Sequence, residues 1–108
     1  MTRSPVATVA QAVAWVLLLG NPLMAAANAE LARDKRCMNC HALERKIVGP
    51  SFQDVARRYA GKPGVAPTLV QKTVKGGGGA WGPVPMAANP QVTPEEARKL
   101  VAWVLSLK

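Results

Sequence analysis

The chain has 108 residues, two cysteines, one histidine and a formal net charge of +8 at pH 7. A chain of this length corresponds to one small domain and excludes a multidomain architecture. With 14 basic against 6 acidic residues, the protein is expected to meet acidic proteins or anionic surfaces, unless the charges only form a solvated face.

The N-terminus has the pattern of an export signal. Arg3 supplies a positive charge, residues 12–19 form an uncharged apolar run, and Ala27-Asn28-Ala29 matches an A-x-A cleavage site. The run is shorter than the roughly 20 residues that a spanning helix needs, so no stable membrane anchor is expected. We therefore predict that residues 1–29 are a cleaved Sec-type signal peptide and that residues 30–108 are a single periplasmic domain. Nucleic acid is not an expected partner in that compartment.

A short helix over Leu31–Cys37 is predicted to lead into the segment Cys37-Met38-Asn39-Cys40-His41. This segment contains both cysteines and the only histidine of the chain. C-x-x-C-H is the spacing at which a c-type haem is attached, because two thiols three positions apart can bind the two vinyl groups of one porphyrin. The motif predicts one covalent haem c, with thioether bonds at Cys37 and Cys40 and iron ligation by His41. The haem would also enlarge the core of a domain too small to be stable without help.

Other kinds of site fit the same residues less well. A thioredoxin-like redox pair requires a βαβ context and a lowered thiol pKa. A structural zinc site requires four ligands, and the chain offers three of the usual Cys/His type. A hydrolytic Ser–His–Asp or Cys–His site would need the histidine that the haem motif uses. The glycine run Gly76–Gly79 lacks the G-K-S/T of a phosphate-binding loop.

The next two helices are indicated by their ends. Ser51 is a predicted N-cap with Asp54 at the capping-box position, and Gly61 is expected to end this second helix. A third helix is predicted over Pro67–Lys75, because it begins with proline and is followed by Gly76.

A loop of seventeen residues, Gly76–Val92, follows the third helix and is rich in glycine and proline. Loops of this length in small domains are more often functional than idle. It contains Met86, the one methionine outside both the signal peptide and the attachment segment. We predict that Met86 is the sixth iron ligand, because the chain has no second histidine and Met38 lies too close to the haem edge to reach the far face. A thioether opposite a histidine raises the reduction potential. A lysine ligand, an open position, or a Met86 that only fills a gap in the core are the alternatives.

The final helix has the clearest start signal, Thr93-Pro94-Glu95-Glu96, which combines an N-cap, a proline at the first position and a capping-box glutamate. A continuous apolar stripe follows at helical spacing, formed by Ala97, Leu100, Val101, Val104 and Leu105. Phe52, Tyr59 and Trp103 are expected in the core. No segment alternates as a strand would, so the predicted fold class is all-α.

Together these segments resemble the small bacterial class I c-type cytochromes of the cytochrome c-551/552 (cytochrome c8) type. The resemblance covers Leu31–Lys108 and is carried by the stretches CMNCH, VGPSFQDVARRYAG, KGGGGAWGPVPM and PEEARKLVAWVLSLK. It implies about four helices wrapped around one covalent haem, with the N- and C-terminal helices crossing at right angles. It also implies axial ligation of the iron by His41 and Met86.

The resemblance assigns roles to four further residues. The Pro50 carbonyl would accept the His41 N–H, which agrees with the second-shell partner expected of a metal-bound imidazole. Lys72 and Trp81 would bind a haem propionate, and Asn89 would steady the methionine sulfur. Trp81 as a plain core aromatic and Lys72 as a solvated surface lysine are the alternatives.

The chain departs from the family pattern at two places. Arg36 stands before the attachment motif, where the family often has a small residue. Ala87-Ala88 follow Met86, where the family often has two prolines, so the distal loop is expected to be looser.

The implied function is one-electron transfer between larger respiratory redox partners, not catalysis. The exposed haem edge would be bordered by Gly77–Trp81 and Ala42. Candidate partners are a quinol-oxidising complex as donor and a nitrite reductase, peroxidase or terminal oxidase as acceptor. Their docking surface is expected to be acidic, and the carrier itself to be a monomer. Two alternatives stay open, namely a haem enzyme or gas sensor with a displaceable sixth ligand, and a haem-bearing subunit of a larger oxidoreductase.

Overall fold

A computed structural model describes residues 22–108 of the chain. It contains four α-helices, which are α1 (Pro22–Asp34), α2 (Phe52–Tyr59), α3 (Ala66–Lys75) and α4 (Pro94–Ser106). Within this range the only β pairing is two isolated bridges, so the predicted all-α fold is confirmed. No helix in the described range is long and apolar enough to cross a membrane. The apolar run of the predicted export signal lies outside the described residues.

The core forms around α4, which packs against each of the other three helices. Its buried cluster consists of Ala32, Phe52, Val92, Ala97, Leu100, Trp103 and Val104. The Phe52 and Trp103 rings meet edge to face at 5.7 Å, as aromatic pairs prefer. The core positions predicted for these two aromatics are confirmed. Tyr59 is only half-buried, and its ring lies edge-on to Trp81 instead.

Helix α4 begins as its sequence predicts. The Thr93 hydroxyl accepts the Glu96 N–H at 3.1 Å, and the Glu96 carboxylate accepts the Thr93 N–H at 3.0 Å. This reciprocal pair satisfies two backbone donors that the first turn of a helix leaves without partners. The apolar stripe then turns inward, although Leu105 is only half-buried.

The caps of α2 and α3 agree with prediction in part. The Ser51 hydroxyl accepts the Asp54 N–H at 3.0 Å, and Gly76 ends α3 at φ 75°. The capping-box position of Asp54 is not used, because its carboxylate binds Arg57 at 2.9 Å. Helix α2 ends at Tyr59, before Gly61, and α3 begins one residue before the predicted Pro67.

Helix α1 differs most from the prediction, since it begins at Pro22 rather than Leu31 and ends at Asp34 rather than Cys37. The chain leaves the helix through Arg36, which has φ 67° and ψ 20°, the left-handed conformation. Residues Cys37–Asn39 then form a separate 3-10 turn. A left-handed residue with a Cβ is strained, and glycine is the residue that adopts this conformation without that cost.

We predict that Arg36→Gly stabilises the haem-loaded protein by about 1 kcal/mol, because glycine adopts the left-handed conformation without the Cβ penalty. Urea unfolding measures the change. Arg36→Ala is the matched control, since it removes the same charge and keeps the Cβ. Equal stability of the two variants would show that the backbone at this position is not strained.

Lys35 joins the end of α1 to the start of α4. Its ammonium lies 3.1 Å from the Glu96 carboxylate and donates to the Gln91 carbonyl at 3.1 Å, while the Gln91 amide donates to the Lys35 carbonyl at 3.0 Å. The hydrogen bond from the Thr93 backbone and then the one from Lys35 lower the pKa of Glu96 below its ordinary value of 4.5. The ionised carboxylate is therefore favoured by the folded state.

The lowered pKa of Glu96 predicts how the free energy of unfolding changes with pH. The stabilisation is present above pH 4.5 and is lost as the pH falls through the lowered pKa of the folded protein. Glu96→Gln, which keeps a side chain suited to the capping box, should make the unfolding free energy fall less steeply with acid. Lys35→Met should have a smaller effect in the same direction. Urea unfolding between about pH 5 and pH 3 tests both variants, and an unchanged slope in Glu96→Gln would contradict the linkage.

Candidate functional site

The eight residues predicted to form the site line one cavity of about 290 Å³. They are Cys37, Cys40, His41, Pro50, Lys72, Trp81, Met86 and Asn89. Apolar side chains from α2, α3 and α4, together with the loop after α3, complete the wall. The fold thus brings together residues that lie as far apart in the chain as Cys37 and Asn89.

The His41 ring is held in one orientation. Its Nδ1 lies 2.7 Å from the Pro50 carbonyl oxygen. A carbonyl only accepts hydrogen bonds, so Nδ1 carries a proton, and in the neutral imidazole this leaves the Nε2 lone pair for a metal. The Phe52 ring stacks on the imidazole at 4.8 Å with an interplanar angle of 22°. Because Pro50 and Phe52 are separated only by Ser51 in the sequence, one short segment sets both the tautomer and the tilt of the ring.

The two cysteines are free thiols in the 3-10 turn and just after it. The Cys37 carbonyl accepts the N–H groups of Cys40 (3.2 Å) and His41 (3.0 Å), which folds the motif into a compact turn. Burial raises the pKa of the Cys37 thiol above its ordinary value of 9.0. A thioredoxin-like pair needs a lowered thiol pKa, so this alternative gains no support.

Met86 is fixed through its backbone. Its N–H donates to the Gly77 carbonyl at 2.7 Å, and its carbonyl accepts the Gly77 N–H at 3.0 Å. A Cβ added to Gly76 would lie 2.6 Å from the Met86 carbonyl oxygen, and this glycine also has φ 75°. The segment that carries Met86 can therefore lie against the end of α3 only because residue 76 has no side chain.

Asn89 ties the chain after Met86 to α3. Its side-chain amide donates to the carbonyls of Thr73 (2.8 Å) and Ala87 (3.3 Å), and its backbone N–H donates to the Val74 carbonyl at 3.1 Å. The two side-chain bonds use both hydrogens of the Asn89 amide. In this arrangement Asn89 therefore supports the segment that carries Met86 by binding backbone carbonyls. Its predicted contact with the Met86 sulfur stays a prediction, as do the propionate roles of Lys72 and Trp81, which are half-buried in the wall.

Three contacts were missed by sequence reasoning. Phe52 was predicted only as a core residue, but it also stacks on His41. A Cβ on Gly49 would lie 2.5 Å from His41 Cε1, so this glycine gives the imidazole its space. Arg58 lies over the Trp81 ring at 4.3 Å. The Gly49-Pro50 pair signals a turn in the sequence, whereas nothing local signals the role of Arg58.

The donor set fits a covalently attached haem. Two thiols, an imidazole with a free Nε2 and a thioether border one cavity whose wall is mainly apolar, as a porphyrin disc requires. Within residues 22–108, no group of three or more His, Cys, Asp or Glu side chains is arranged to hold a metal ion. The zinc alternative therefore gains no support from the structure.

The chain is similar to known proteins in both sequence and structure. The family model named Cytochrome c matches residues 25–108. The chain is 49% identical to cytochrome c-551 of Azotobacter vinelandii over 79 residues, which is 73% of this chain and 95% of that protein. It is also 49% identical to cytochrome c-552 of Hydrogenobacter thermophilus over 82 residues, 76% of this chain and 83% of that one. The crystal structure of wild-type Nitrosomonas europaea cytochrome c552 superposes with a TM-score of 0.71 at 41% identity, covering 74% of this chain and 99% of that structure.

Proposed function

This chain belongs to the cytochrome c family, and we propose that it is a periplasmic electron carrier whose iron is held by His41 and Met86. Members of this family carry one covalent haem c and transfer electrons rather than catalyse a reaction. The chain is thus an electron-transfer protein that acts with redox partners. The axial ligands, the periplasmic location and the nature of the partners are our proposals.

The contact between His41 Nδ1 and the Pro50 carbonyl carries this proposal, because it prepares the imidazole for metal binding. When bound, the haem supplies the one-electron couple. His41 would keep its ring fixed in both oxidation states, since Pro50 and Phe52 restrain it on two sides. Cys37 and Cys40 would retain the haem through thioether bonds. Met86 would complete the iron coordination, so that little rearrangement accompanies electron transfer.

A haem enzyme or gas sensor needs a displaceable sixth ligand and a distal acid–base group. The chain has a single histidine, and the methionine segment is tied to α3 by Asn89 even though Ala87-Ala88 replace the family's prolines. Both observations favour the carrier. Carbon monoxide added to the reduced protein tests the choice. An unchanged low-spin c-type spectrum is expected, whereas a prompt shift would mean an open site and would favour the enzyme or sensor.

The mouth of the cavity suits a transient redox partner. Val48 and Val84 line the cavity and are 52% and 61% exposed, and Leu43 and Ile47 are exposed in the same loop as Val48. Arg36 and Lys72 also line the cavity. An apolar centre with basic residues around it favours weak and fast docking of an acidic partner. A quinol-oxidising complex as donor and a nitrite reductase, peroxidase or terminal oxidase as acceptor would be of this kind.

We predict that the basic residues near the cavity steer anionic reagents. Electron transfer to hexacyanoferrate(III) should slow as salt is added, because the added ions weaken its attraction to the basic surface. Transfer to a cationic hexaammine complex should quicken, because the same ions weaken its repulsion. The double variant Arg45→Gln/Lys46→Gln, in the loop that carries Val48, should flatten both dependences. Arg98→Gln/Lys99→Gln, on the exposed side of α4, removes the same charge and is the control. Equal effects of the two double variants would mean that only net charge matters.

A further inference from the structure

The loop after α3 is held firmly at its base. Gly77 and Met86 exchange two backbone hydrogen bonds, and Asn89 binds the carbonyls of Thr73 and Val74 on α3. Between these anchors lies the loop tip, residues 78–85, which includes Trp81 and Val84 at the cavity. The base bonds alone do not fix the tip over the cavity.

One residue of α2 holds this tip. Arg58 donates from Nη1 to the Ala80 carbonyl, and its guanidinium carbon lies 4.3 Å from the centre of the Trp81 ring. Among residues 22–108, this is the one hydrogen bond that joins the loop tip to another part of the fold. Tyr59, the next residue of α2, meets Trp81 edge-on at 6.4 Å. Trp81 is thus held by a cation–π contact from one side and an aromatic edge from another.

We propose that Arg58 is a positioning residue that closes the loop tip over the cavity and thereby keeps Met86 on the iron. The proposal rests on the proposed function, in which Met86 is the sixth ligand. Met86 directly follows the loop tip, so an outward movement of the segment that carries Met86 away from the iron would move the tip as well. Arg58 opposes that movement through two contacts that the open loop would lose. The planar guanidinium suits both, because it stacks on a ring while its edge donates to a carbonyl.

Arg57 provides a matched control. It is the preceding residue of α2 and is also exposed, but it binds Asp54 at 2.9 Å and Gln53 at 3.4 Å rather than the loop. Arg57→Met and Arg58→Met therefore remove the same charge from neighbouring positions. Only Arg58→Met removes contacts with Ala80 and Trp81.

Imidazole binding to the oxidised, haem-loaded protein tests the proposal, since imidazole displaces Met86 when the loop opens. Arg58→Met should raise the apparent imidazole affinity about tenfold, the effect of losing one exposed cation–π contact together with a hydrogen bond. Arg57→Met should stay within about twofold of the parent. Equal changes in the two variants, or none in Arg58→Met, would overturn the proposal.

A second measurement does not depend on the iron ligand. The Met86 N–H is bonded to Gly77, so its hydrogen exchange reports opening at the base of the loop. Exchange at Met86 should be about tenfold faster in Arg58→Met than in Arg57→Met, with similar urea midpoints for both. If the parent protein binds carbon monoxide at once, the proposed ligation by Met86 fails. The exchange comparison still tests whether Arg58 holds the loop tip. Equal exchange in the two variants would refute it.

Discussion

Replacing Met86 with alanine is expected to open the sixth coordination position without unfolding the loop. The reduced variant should bind carbon monoxide promptly, and its reduction potential should fall by on the order of 0.1 V, since the thioether that favours ferrous iron is lost. The loop should stay in place because Met86 is held by its backbone to Gly77, at 2.7 and 3.0 Å, and neither bond involves the side chain. The change should therefore be confined to the ligand.

Met38→Leu is the control for this experiment. Met38 lies in the Cys37–Asn39 turn and packs against the core, so its loss removes a thioether from the same protein without touching the cavity wall. Spectrum and potential should be nearly unchanged. If reduced Met86→Ala does not bind carbon monoxide, another side chain holds the sixth position and our ligand assignment is wrong.

The parts of this protein that could be predicted from sequence are those whose signals are local or chemical. The capping box of α4 occupies four consecutive residues, and each of them acts on the same turn. The attachment motif needs fixed spacing for a chemical reason, so its residues could be identified without knowing the fold. Met86 could be selected as the candidate ligand by elimination among the few methionines of the chain, and the structure places it in the wall of the cavity.

The parts that could not be predicted depend on contacts between distant segments. Arg58 is twenty-two residues from Ala80, and an arginine on a polar helix face is usually only solvated. Arg36 gives no sign of a left-handed backbone, because that conformation is normally indicated by glycine or asparagine. The start of α1 was missed because an alanine-rich stretch near an export signal was interpreted as signal rather than as helix.

Gly49 shows how strongly such a contact can constrain a position. Replacing it with alanine is expected to destabilise the haem-loaded protein by about 3 kcal/mol, the upper part of the range for overpacking. The new Cβ would lie 2.5 Å from His41 Cε1, 2.9 Å from Nδ1 and 3.1 Å from Nε2. Carbon atoms do not approach so closely, and so either the ring or the backbone must move.

Two contacts restrain the imidazole from moving away from the new methyl group. Phe52 stacks on it at 4.8 Å, and the Pro50 carbonyl holds Nδ1 at 2.7 Å. Backbone movement at Gly49 would strain its own N–H bond to the Cys40 carbonyl, which is 2.7 Å long, within the attachment motif. Gly49→Ala should therefore weaken ligation by His41 as well as the fold. Urea unfolding and the spectrum of the reduced protein measure these two effects.

Gly64 offers the matched control, since a Cβ there meets nothing within 4 Å and its φ is not positive. Gly64→Ala should be neutral or stabilise the protein by up to about 1 kcal/mol, because the unfolded chain becomes less flexible. Phe52→Leu in the Gly49→Ala background tests the cause directly, because the smaller side chain lets the imidazole retreat from the new methyl group. The double variant should be more stable than the sum of the single changes predicts. Simple additivity would mean that the methyl group acts on the backbone rather than through His41.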